Sequence, residues 1–166
     1  VRSSAASDVY KRQPKFGPAG NSESFSKMGY KNSLDVPEYI VKMGLDCYEY
    51  QCGRGVNIGE EKARLLGEKA AKAGITLSLH APYYISMSST EGEKRDNSVN
   101  YILASARAVN AMGGDRIVVH TGSCGKISRS DALDLALDTM RKAIAATGAA
   151  KKISTKSDKA SANTEE

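Results

Sequence analysis

Both histidines of this chain, His80 and His120, close a run of strand-forming residues, and that placement limits the fold more than any other feature. Ile75-Thr-Leu-Ser-Leu-His80 and Arg116-Ile-Val-Val-His120 read as buried β-strands. Each is followed at once by a turn, APYY in the first case and TGSCG in the second. Between them a helical pattern runs from about Glu93 to Met112, with Val99, Ile102, Leu103, Ala106 and Val109 on one stripe and Gly113-Gly114 as its stop. Strand, helix, strand in that order is the unit of a parallel sheet.

The same alternation extends in both directions. Lys15–Gly17 is a short candidate strand, followed by the turn-rich PAGNSES. A helix is expected from near Asp35, with Pro37 in its first turn, Ile40 and Met43 on its buried side and Gly44 at its end. Asp46–Tyr50 is the next strand. A helix over Gly59–Ala73 follows, its inner face formed by Leu65, Leu66, the Lys69 stem, Ala70 and Ala73. After the second histidine, Ser128-x-x-Asp131 resembles a capping box and opens a helix whose stripe is Leu133, Ala136, Leu137, Met140 and Ile144. Four βα units over 14–147 amount to the N-terminal half of a TIM barrel, which typically needs roughly 250 residues. An open doubly wound sheet has the same element order, but GPAGNS is a poor match to the Gly-rich phosphate loop such a sheet uses.

The two ends of the chain stand apart from this pattern. Residues 3–13, SSAASDVYKRQ, resemble the translation of a sequencing-library adapter, so 1–13 are set aside as an artefact. Residues 148–166, GAAKKISTKSDKASANTEE, hold Ile153 as their one sizeable apolar residue; a disordered or frameshifted tail is expected. Without the ends the charge changes meaning. The whole chain carries +5, whereas 14–147 has 17 basic and 15 acidic residues, a net of +2. Charge therefore gives no argument for nucleic-acid binding. Three cysteines without zinc-ribbon spacing, no signal peptide and no long apolar run fit a reduced, cytoplasmic protein with no membrane partner.

In parallel α/β folds ligands gather at the carboxyl ends of strands, where both imidazoles fall. Imidazole is a ligand for zinc and related metals, so His80 and His120 are read as ligands of one site. The blocks LSLHAPYYISMSS and RIVVHTGSCGK resemble the endonuclease IV family of xylose-isomerase-like TIM barrels, with FGPAGNS, GLDCYEYQCGRG and EEKARLLGEKA adding to the likeness over 15–147. Thr121 stands where that family usually has Pro.

The resemblance implies a zinc-dependent phosphodiesterase acting at abasic sites in DNA, with His80 and His120 as zinc ligands. It also implies further Glu, Asp and His ligands from later strands, whose motifs this chain does not contain. The zinc site is thus expected to be incomplete and the chain alone, a fragment, inactive. A metal-dependent sugar isomerase or epimerase on the same barrel is the alternative. Tyr83 would stack near the abasic position, Glu49 would line the pocket, and Lys126, with Arg129, would reach phosphate. Cys124 lies near the site without a group to activate it.

Overall fold

The computed structural model describes residues 14–148. The adapter-like segment and the tail beyond 148 lie outside the described residues. The elements run in chain order as α1 (Glu23–Lys27), a 3-10 turn (Ser33–Asp35), α2 (Val36–Lys42), β1 (Cys47–Gln51), α3 (Glu60–Lys72), β2 (Thr76–His80), α4 (Gly92–Ala111), β3 (Ile117–Val118) and α5 (Arg129–Thr147). The strands form one parallel sheet in the order β1-β2-β3, with Gln51 opposite His80 and His80 opposite Val118. Lys15–Gly17 is not a strand of its own. Phe16–Gly20 instead lies along β1 as an irregular first track: Phe16 and Pro18 carbonyls accept from the Cys47 and Glu49 amides, and the Gly20 amide donates to the Glu49 carbonyl. The chain is α/β and forms an arc of a parallel βα barrel.

One face of each strand supplies the core. Tyr48, Leu77 and Leu79 are buried against Ile40 of α2, Leu66 and Ala70 of α3, and Val109 of α4. Because side chains alternate along a strand, Glu49, Gln51, Ser78 and His80 share the opposite, barrel-inner face. α3 forms where the sequence concentrates good helix formers, with Glu60 and Glu61 at its positive end and Lys69 and Lys72 at its negative end. Full burial of Leu66 contributes about 1.5–3 kcal/mol. Gly67 lets α4 come close, since a β-carbon there would fall on the Met112 carbonyl.

Three further sequence expectations fail, the first two for packing reasons. Met43 and Leu65 are 45% and 37% exposed, because the buried faces of their helices turn on Val36 and Ile40 and on Ala63, Leu66 and Ala70. The α5 stripe is displaced: Ala132, Thr139 and Ala143 face α4, while Leu133, Leu137 and Ile144 point outward. Small residues win the inner face there because α4 packs close against it, with Ser98 and Ser105 among its own buried positions. Finally, β3 is two residues long, and His120 lies beyond it rather than at its end.

Candidate metal centre

β2 delivers His80 at its last residue, half-buried at the carboxyl-end mouth of the sheet. His120 arrives from the loop after β3, exposed at the same mouth. The two Nε2 atoms are 3.0 Å apart, with ring centroids at 4.9 Å and planes inclined by 47°. His80 Nδ1 is 3.0 Å from the Ala81 carbonyl. A carbonyl only accepts, so Nδ1 carries the proton and the Nε2 lone pair points at His120. This is the arrangement in which a backbone carbonyl orients a ligating imidazole. Two nitrogens bound to one tetrahedral zinc at about 2.0–2.1 Å stand ~3.3 Å apart. The observed spacing is close to that.

Tyr83 flanks the histidines. Its ring centroid is 5.8 Å from that of His80, tilted by 54°, and its side chain is largely exposed. The Tyr83 amide donates to the Gly53 carbonyl, and its hydroxyl donates to Gln51 Oε1 at 3.4 Å. Gln51 was not among the residues singled out from the sequence. Its place follows from β1 running one residue further than expected, which puts it directly beside His80 in register. Glu49 lies one pleat lower, opposite Ser78. Lys126 and Cys124 are exposed on the turn after His120, and no hydrogen bond or ion pair joins either to the histidines among the described residues. Among the described residues no cluster of three or more His, Cys, Asp or Glu side chains could hold a metal.

The loops holding this mouth brace one another. The Met87 amide donates to the Thr121 carbonyl, and Ser88 Oγ donates to the Ser123 carbonyl at 2.8 Å. Gly122, at φ 107°, permits the approach, since a β-carbon would come within 2.7 Å of Ser88 Oγ. A concavity of about 830 Å³ lies at the other end of the strands, lined by Cys47, Thr76, Gly113 and Arg116. That end of a parallel barrel serves stability, so the histidine mouth is the better candidate site.

Parallel strands wrapped by helices, with imidazoles collected at the carboxyl-end mouth, define a protein of the parallel βα-barrel class. Residues 37–152 match the family described as xylose isomerase-like TIM barrel, and the chain belongs to it. It is 35% identical over 107 residues to an uncharacterized protein of Methanocaldococcus jannaschii, covering 64% of this chain and 36% of that one. It is 30% identical over 91 residues to a probable endonuclease 4 of Malacoplasma penetrans, covering 55% of this chain and 32% of that one. The chain thus spans about a third of the length of these curated relatives. Among solved structures, the 3-keto-D-glucoside 4-epimerase of E. coli superposes with a TM-score of 0.61 at 19% identity, over 82% of this chain and 54% of that one. No helix of the described residues is long and apolar enough to cross a membrane.

Proposed function

We propose that this chain supplies the metal-holding part of the mouth of an endonuclease IV-like, zinc-dependent phosphodiesterase acting at abasic sites in DNA. The observation that carries the reading is the convergence of the His80 and His120 Nε2 atoms to 3.0 Å at the carboxyl-end mouth. The sequence relationship to a probable endonuclease 4 favours DNA over a sugar as the substrate class. When bound, the metal supplies Lewis-acid activation of water and charge stabilisation on the phosphate.

The chain's own residues have separable roles. His80 and His120 donate Nε2 lone pairs, and the Ala81 carbonyl fixes the His80 tautomer. Tyr83 offers an exposed ring for stacking against an unpaired nucleotide, held in place by Gln51. Glu49 lines the pocket below the pair, and Lys126 reaches phosphate from the turn after His120. A reducing, cytoplasmic setting belongs to this reading, in keeping with free thiols at Cys47, Cys52 and Cys124.

The test follows the imidazole resonances of the purified chain by NMR during zinc titration. It then measures binding to duplexes with and without one abasic site, and to a ketohexose. Joint perturbation of His80 and His120 and a preference for the abasic duplex that Tyr83→Ala removes are the expected results. Ketohexose binding at the histidines without DNA preference would replace this reading with the sugar isomerase or epimerase alternative.

A further inference from the structure

The two histidines are held in different ways. His80 closes β2 and keeps its register with Gln51, whereas β3 ends at Val118 and His120 lies beyond it. The Ala81 amide bonds the Val118 carbonyl at 2.9 Å, the last link between the two strands. His120 is exposed, yet its Nε2 stands 3.0 Å from that of His80. A loop residue held at that distance needs contacts outside the ladder to fix its place.

The segment 81–88 supplies them. It leaves β2 directly after His80 and grips the chain on both sides of His120. On the near side is the Ala81 bond to Val118. On the far side the Met87 amide donates to the Thr121 carbonyl at 3.2 Å, and Ser88 Oγ donates to the Ser123 carbonyl at 2.8 Å. The gripping segment is itself anchored from behind. Ile85 and Met87 are buried, the Ser86 amide donates to Ser98 Oγ of α4 at 2.8 Å, and the Met87 carbonyl accepts from Thr139 of α5.

Two of the three grips are made by backbone amides, which almost any residue offers. The third belongs to a side chain. Ser88 is 7% exposed, and its hydroxyl reaches across 35 residues of sequence to the Ser123 carbonyl. Gly122 lies between the two gripped carbonyls at φ 107°, and it alone leaves room for that hydroxyl, since a β-carbon would come within 2.7 Å of it. A buried donor left without its acceptor is costly, so the pairing of Ser88 with Ser123 is held firmly. We infer that Ser88 is a positioning residue: its hydroxyl sets where the 120–123 loop lies, and through the loop the spacing of His120 from His80. The functional meaning of that spacing rests on the metal reading of the pair, while the spacing itself is measurable on the chain alone.

Two measurements on the full chain test this: NMR contacts between the two imidazoles without metal, and zinc affinity by calorimetry. The wild-type rings, with centroids 4.9 Å apart, should show a mutual ring-proton contact. Ser88→Ala should weaken that contact severalfold while the β2 amide shifts up to His80 stay in place. Zinc affinity should fall about tenfold, as it does when a group that orients metal ligands is lost. Gly122→Ala crowds the hydroxyl from the other side and should give the same two results with Ser88 present. Ser105→Ala removes a buried hydroxyl whose bond stays inside α4, and it should change neither reading. An unchanged ring contact in Ser88→Ala would overturn the inference, and so would an equal loss in Ser105→Ala. If Ser88→Ala separates the rings but zinc never perturbs the wild-type pair, the positioning role stands and the metal reading falls.

Discussion

His80 and His120 are forty residues apart in the chain, yet their Nε2 atoms stand 3.0 Å from each other. The parallel crossover through α4 brings them together: it returns the chain to the same end of the sheet, where the braced 81–91 and 120–126 loops hold the mouth.

Zinc should therefore bind weakly and through both rings. Two neutral imidazoles give no charge compensation, and catalytic zinc normally takes three protein ligands. Calorimetry should show one weak event, lost in His80→Ala and in His120→Ala alike, and weakening as the pH falls because ligation needs unprotonated nitrogens. Binding that survives His80→Ala would place the metal elsewhere.

Cys52 and Cys124 should differ sharply in reactivity. Burial pushes the Cys52 thiol up to about 11 from an ordinary value of 9.0, whereas Cys124 is exposed. At pH 8 iodoacetamide should label Cys124 quickly and Cys52 on unfolding. The raised value also has a stability consequence. Between pH 9 and 11 the folded chain holds the Cys52 proton that the unfolded chain has released, so stability falls as pH rises through that window. Cys52→Ala should flatten the decline in urea midpoint over that range.

Leu65 and Leu66 separate the pattern of a helix from its packing. Both satisfied the helical spacing, but Leu66 is fully buried and Leu65 is 37% exposed. Leu66→Ala should cost about 2–5 kcal/mol in chemical denaturation, and Leu65→Ala about 1 kcal/mol or less. Equal losses would contradict the packing.

Gly67 presents two opposed effects. Alanine in a helix interior gains roughly 1 kcal/mol over glycine. At this position, however, the added carbon lands on the Met112 carbonyl, and backbone cannot move aside cheaply. Gly67→Ala should lower the melting temperature, in contrast to an exposed helical glycine; a rise would mean α3 and α4 are spaced more widely.

Legibility in the sequence followed the range of the interactions. The alternation of elements and the strand end at His80 could be read because period and turn signals are local properties, whereas β3 stops two residues short of His120. The inner face of α5 could not be, because its stripe of Leu133, Leu137 and Ile144 is as periodic as the true one of Ala132, Thr139 and Ala143. Which face turns inward is decided by how closely α4 approaches, a tertiary fact. Gln51 escaped notice for the same reason: its importance lies in its register with His80, not in its neighbours along the chain.

Thr139 ties α5 to the loop that carries Tyr83. It is buried, and its hydroxyl lies 2.9 Å from the Met87 carbonyl and 2.8 Å from the Leu135 carbonyl, so one proton serves two acceptors. The Leu135 carbonyl keeps its helical partner when that proton is lost, whereas the contact with Met87 spans 52 residues and has no such substitute. Thr139→Val preserves shape and removes the donor, leaving the Met87 carbonyl unsatisfied at a cost of about 1–3 kcal/mol. The Met87 amide also donates to the Thr121 carbonyl one residue after His120, so loosening here reaches both histidine loops. The expected result is a lower urea midpoint together with faster amide exchange over residues 83–89, while β1 and α3 exchange unchanged. A loss of stability spread evenly over every element would show instead that Thr139 acts through general packing.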